Sequence, residues 1–250
     1  MTVRAIIVDI GGVLLLREAM PAHSAWEDRL GIDRGGFARG LFQPDLSAQA
    51  TVGALSAAWV WEEMAARLSL SAGDVQALRR DFFAGERVNE EFIAFLQGLR
   101  PAYRTAALSN AWSGTRAAMR THYGLDRLVD LMIFSDEEGM AKPDARLYHL
   151  AAARLGVRPD EAIFVDDVPR NVDAARAVGM LAVHFRDTTQ AVAEIEAYLD
   201  DRARQTGENR RGGRELRIVL NLLFVFLVFL CDLCALCVSA VLSGFGSAFV

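Results

Sequence analysis

An α/β fold built on a doubly wound parallel sheet is what the sequence predicts, and three observations predict it. Five short, nearly continuous apolar runs alternate with helical patterns, as strands buried on both faces of a parallel sheet do. Residues 17–100 break that alternation with helical periodicity alone. Four polar clusters follow the runs, at the sheet edge where open α/β folds bind ligands.

The runs are Ala5 to Asp9, Thr105 to Ser109, Leu131 to Ser135, Ala162 to Asp166 and Leu181 to Phe185. The helix after Pro143 is expected to stop at Gly156, and another to run from about Asn171 to Gly179, because glycine ends a helix at a left-handed position without strain. Inside the interrupting segment, Leu55, Ala58, Trp61, Ala65 and Leu68 recur at spacings of 3, 3, 4 and 3, one face of an amphipathic helix. Ser71 and Asp74 open the next helix as a capping-box-like pair, with Val75, Leu78 and Phe82 facing inward. Asn89 caps a third, which stops before Pro101. Trp26, Phe37, Phe42, Trp59 and Trp61 are expected to form the core of this separate small domain.

The chain has 250 residues, 52% of them hydrophobic and 24% charged, with a formal net charge of −5. The apolar excess is local, because residues 218–250 contain a single charge, Asp232. Residues 201–217 read as an arginine-rich linker, and Ile218 to Val238 supplies 21 apolar-dominated residues, long enough to cross a bilayer as a C-terminal helix. Arginines on its N-terminal side would keep the body in the cytoplasm, anchored to the membrane by that segment. At the other end, Asp9 within the first apolar run and the lack of a small-residue cleavage site argue against a signal peptide. The expected division is therefore a core of residues 1–16 and 101–200, an insert at 17–100, a linker at 201–217 and a transmembrane helix at 218–238.

Charge and cysteine usage exclude several functions. Residues 1–200 carry 21 basic and 28 acidic side chains with no basic stripe, so nucleic acid is not an expected partner. Cys231, Cys234 and Cys237 all lie in the apolar tail, where they read as small hydrophobes rather than a metal cluster. The body thus has no disulfide, thiolate zinc site or cysteine nucleophile, which suits a reducing compartment. Lys142 is the only lysine among 27 basic residues, as if one place required a compact ammonium.

The four clusters are Asp9 in VDIGGVL, Ser109 and Asn110 in ALSNAW, Lys142 in GMAKPD, and Asp166 and Asp167 in FVDDVPRN. Taken singly each has a plain structural reading: a turn aspartate, a helix N-cap, a solvated side chain, a cap before Pro169. Taken together they bring a carboxylate, a hydroxyl, an ammonium and two more carboxylates to one sheet edge. Three clustered carboxylates need a cation to remain ionised together.

These motifs, in this order and with a helical insert after the first, resemble the four motifs of the haloacid dehalogenase-like hydrolase superfamily with a helical cap, over about residues 3 to 199. The resemblance implies a Mg²⁺-dependent phosphomonoesterase acting on a small phosphorylated metabolite, a sugar phosphate or a nucleotide. It implies that Asp9 attacks phosphorus to form an aspartyl-phosphate, that Asp9, the Gly11 carbonyl and Asp167 hold Mg²⁺, and that Asp166 acts through a bound water. Ser109 and the Asn110 backbone N–H would hold phosphate oxygens, Lys142 would bridge Asp9 and the phosphoryl group, and residues 10–16 would form a mobile flap. One position departs from the pattern: Gly11 stands where related phosphatases carry a second aspartate as general acid and base, a role worth roughly 10²- to 10⁴-fold. Glu18 and His23, just beyond the flap, are the candidate stand-ins. Two other readings remain: a phosphate-sensing or scaffolding module that turns over slowly, and a 2-haloacid dehalogenase. A C–P bond hydrolase would need a second lysine, and the chain has none.

Overall fold

The computed structural model describes residues 2–205, apart from residues 19 and 38–40. In chain order the elements are β1 (Ala5–Val8), β2 (Leu15–Arg17), α1 (Pro21–Leu30), α2 (Pro44–Thr51), α3 (Ala57–Arg67), α4 (Ala72–Phe83), β3 (Glu86–Val88) and α5 (Glu90–Leu99). There follow β4 (Arg104–Ser109), α6 (Thr115–Thr121), β5 (Leu131–Phe134), α7 (Ser135–Glu138), α8 (Ala145–Arg154), β6 (Ala162–Asp166), α9 (Pro169–Ala177), β7 (Leu181–His184) and α10 (Thr188–Gln205).

Five strands form one sheet in the order β5-β4-β1-β6-β7, every neighbouring pair parallel. All five expected runs lie in it; Ala162 to Asp166 matches its strand at both ends, and each of the other four differs by one residue at one end. All four residues of the central strand β1 are buried, because successive side chains point to opposite faces and both faces are covered. Ile6 and Val8 join Phe92, Leu96, Phe185 and Ile195 in one apolar layer. Ala5 and Ile7 join Leu147, Tyr148, Phe164 and Val172 in the other. Gly156 (φ 65°) and Gly179 (φ 92°) terminate α8 and α9 in the left-handed region, as their positions in the sequence require.

The interrupting segment has its own apolar cluster, with Trp26, Phe37, Phe42, Trp61 and Leu78 buried. Ser71 and Asp74 make both bonds of a capping box at the start of α4, and Asn89 caps α5 by accepting from the Phe92 N–H at 3.3 Å. Three expectations need correction. The segment is not helical throughout: β2 and β3 pair as an antiparallel ribbon, with Arg17 opposite Glu86. Strands of three residues are too short to register as a period of two. The buried face of α3 is Val60, Trp61 and Met64, with Ala58 turned to solvent, and Trp59 is 42% exposed rather than core. Finally, α5 lies inside the expected insert, 17–100, yet its Phe92, Ile93, Leu96 and Leu99 pack with the sheet. The expected membrane-spanning segment 218–238 is outside the described residues. Among those described, no helix is long and apolar enough to cross a membrane.

Candidate active site

The strand ends place the chemistry. β1 and β6 are adjacent and in register, so Asp9, one residue past β1, stands beside Asp166 at the end of β6; the Asp9 N–H donates to the Val165 carbonyl at 2.8 Å. Lys142 reaches this edge from the loop before α8. Its Nζ lies 2.9 Å from Asp9 Oδ2 and 2.7 Å from Asp166 Oδ2, and 5.7 Å from the centre of the Phe164 ring. All three side chains are buried. An ammonium flanked by two carboxylates and an aromatic face is held by charge from three sides.

Asp166 is saturated. Its Oδ1 accepts from the Val168 N–H at 2.8 Å and its two oxygens from Asn171 Nδ2 at 3.1 and 3.2 Å. Asp167, next in sequence, is exposed, yet one carboxylate oxygen each from Asp9, Asp166 and Asp167 lie within 4.8 Å of one another. The burial of Asp9 is the main cause that pushes its pKa up to about 6; the Lys142 charge opposes it and the Asp166 charge adds to it. Asp167 is raised too, by desolvation first and by Asp166 second. Two neighbouring carboxyls that hold their protons too tightly mark a place short of positive charge. A hard divalent cation with oxygen ligands fits the donor set of Asp9, Asp166 and Asp167.

Gly12 completes the approach. Its φ is +80°, and a Cβ there would lie 2.3 Å from Asp167 Oδ2, so any side chain would collide with the carboxylate. Gly11 is different: it is exposed, and a Cβ would meet nothing within 4 Å. Ser109 ends β4, buried, its hydroxyl only within 3.5 Å of the Asn110 carbonyl, which leaves it free to bond a ligand.

Asn110 has a role that sequence reasoning missed. Its side-chain amide grips the Lys142 peptide from both sides: Nδ2 donates to the Lys142 carbonyl at 2.9 Å and Oδ1 accepts from the Lys142 N–H at 2.8 Å. Asn171 was missed as well. It sits in the first turn of α9, just beyond the acidic pair and Pro169, which was the signal available. The stand-ins proposed for the absent acid are engaged elsewhere: Glu18 pairs with Arg87, and His23 bonds the Asp81 carbonyl at 2.7 Å and stacks on Phe37.

The chain is similar to several known proteins. The chain is 27% identical over 220 residues to bifunctional epoxide hydrolase 2 of Sus scrofa, covering 78% of this chain and 39% of that protein, so it spans about two fifths of the relative's length. It is 30% identical over 108 residues to GMP/IMP nucleotidase YrfG of Escherichia coli (strain K12), covering 43% of this chain and 49% of the nucleotidase. A HAD family enzyme of Bacteroides thetaiotaomicron, solved in complex with magnesium and inorganic phosphate, superposes with a TM-score of 0.61 at 17% identity, over 72% of this chain and 93% of that one. Residues 3–179 match the model of the haloacid dehalogenase-like hydrolases, and with the sheet order and the buried Asp9–Lys142–Asp166 cluster on that same stretch, the chain belongs to this family of hydrolases.

Proposed function

We propose that this hydrolase is a Mg²⁺-dependent phosphomonoesterase that works through a covalent aspartyl-phosphate on a small phosphorylated metabolite, a sugar phosphate or a nucleotide. The observation that carries the reading is the pairing of Lys142 with Asp9 and Asp166 beside a third carboxylate, Asp167. Similarity to a nucleotidase and a magnesium- and phosphate-bound relative supports it.

In this reading Asp9 and Asp167, with the Gly11 carbonyl, would hold the metal, which would supply charge neutralisation and polarisation of the phosphate oxygens. Asp9 is oriented by the Ile10 N–H, which donates to its Oδ1 at 2.6 Å, leaving Oδ2 on the Lys142 side. An Asp9 oxygen attacks phosphorus, the P–O bond to the alcohol breaks, and the departing oxygen takes a proton from water, since Gly11 provides no acid. Lys142, Ser109 and the Asn110 N–H spread the negative charge of the transferring group. Water then cleaves the aspartyl-phosphate to phosphate and restores Asp9. Such an enzyme favours esters with good leaving groups. The Asp166–Asp167 pair weighs against dehalogenase chemistry, which needs no cation at that position.

The test is phosphate release by the full chain from a panel of phosphomonoesters, with and without Mg²⁺, beside Asp9→Asn. Release that needs the metal and falls at least about 10³-fold in the variant is expected. Phosphate binding without turnover would favour the sensing module that Gly11 suggests.

A further inference from the structure

We propose that residues 110–113 form a strap that couples the seating of the helical insert to the position of Lys142, with Trp112 and Thr51 as its positioning residues. Each residue of this run, immediately after Ser109, is tied to a different element. Asn110 holds both sides of the Lys142 peptide. The Ala111 N–H donates to Ser135 Oγ at 2.9 Å, and the Ser135 hydroxyl donates in turn to the carbonyl of Thr51, the last residue of α2, at 2.6 Å. Trp112 Nε1 donates to Thr51 Oγ1 at 3.1 Å. Ser113 Oγ accepts from the Ala57 N–H, at the start of α3, at 2.8 Å.

The packing agrees with the hydrogen bonds. Among the described residues, Trp112 is the only member of the insert's apolar cluster that comes from outside the insert, and its ring meets Phe42 edge to face at 4.8 Å. Gly53, two residues past α2, is pressed against the core: a Cβ there would lie 2.2 Å from the Asp136 carbonyl oxygen. The chain itself joins insert and core through the β2–β3 ribbon, so the strap is a second attachment, made of neutral hydrogen bonds that open at modest cost. Its far end is the peptide that carries the site's only ammonium. When the insert lifts, Asn110 is pulled and the grip on Lys142 loosens; when the insert seats, Lys142 is set against Asp9. The kinetic consequence rests on the phosphatase reading, but the coupling does not.

Amide exchange on the full chain tests it, comparing the wild type with Trp112→Phe, which keeps the ring and drops the N–H, and Thr51→Val, which drops the hydroxyl. The amides of Ala57, Ala111 and Lys142 should exchange roughly two- to tenfold faster in both variants, with those of Ile7 and Phe164 in the sheet unchanged. Thr51→Ser should restore wild-type rates, and the double variant should not exceed Thr51→Val, which removes the Trp112 bond together with the one Thr51 Oγ1 donates to the Ser47 carbonyl. kcat/KM for a phosphomonoester should fall by the same factor. An unchanged Lys142 amide while Ala111 speeds up overturns the coupling, as does equal acceleration throughout the sheet. A wild type that releases no phosphate overturns the phosphatase reading instead, and the exchange data then decide the strap alone.

Discussion

The sheet edge and the helical insert place their polar residues in opposite ways. At the edge, Asp9, Ser109, Lys142, Asp166 and Asn171 are buried, and the charged ones are paired before any ligand arrives. In the insert the arginine of each ion pair faces solvent among the described residues, as in Arg34–Asp28 and Arg87–Glu18, and the interior is aromatic. Glu27 is its one buried carboxylate among the described residues, accepting from the Phe37 N–H at 3.0 Å. Parallel strands end at fixed heights, so backbone geometry can hold charges close together against their mutual repulsion. An insert with only a three-residue ribbon for a sheet must rely on packing. The edge therefore stores unfavourable electrostatics for chemistry, and the insert supplies apolar contact.

Removing the charge that holds the edge together tests that contrast most severely. Lys142→Met leaves Asp9 and Asp166 without their common partner, so unfolding free energy should drop by about 3–5 kcal/mol and phosphate release should disappear. Denaturant titration showing wild-type stability would mean that the carboxylates are held apart by something else. The insert's dependence on packing is read from its tryptophans. Trp61→Ala, buried, should cost about 3–5 kcal/mol, and Trp59→Ala, 42% exposed, no more than about 0.5 kcal/mol. Equal costs would erase the distinction between the two faces of α3.

The smallest effect concerns protons. Asp9, raised to about 6 in the folded protein, binds its proton more tightly than in the unfolded chain. Its protonation therefore favours the metal-free fold below the ordinary aspartate range, and that contribution fades as pH rises through about 6. Asp167 acts in the same direction. A bound divalent ion competes with those protons, so the rise in Tm on adding Mg²⁺ should grow from about pH 5 to about pH 7. A rise of equal size at both values would place the ion elsewhere.

The elements best read from the sequence are the sheet strands and the glycine-terminated helices, because their signals are local. An apolar run buried on both faces looks the same wherever it pairs, and a left-handed helix end calls for glycine. The buried face of α3 was harder: Leu55 to Leu68 fits a period of 3.6 in more than one phase, and Trp59 and Trp61 are equally apolar. Which of them is covered depends on Phe42, Phe82 and Trp112 arriving from distant segments.

The residue types at the site, their places after strand-like runs, and the glycines at positions 11 and 12 are legible in the order of residues alone. Folding had to bring Lys142 against Asp9 and Asp166 at once, set the Asn110 side chain on the Lys142 peptide, turn Asn171 to Asp166, and put Gly12 rather than Gly11 at a positive φ beside Asp167. The division has one physical cause. Strand ends and turns follow from neighbours in the chain, whereas the distance between two charges is set by packing among residues far apart in it.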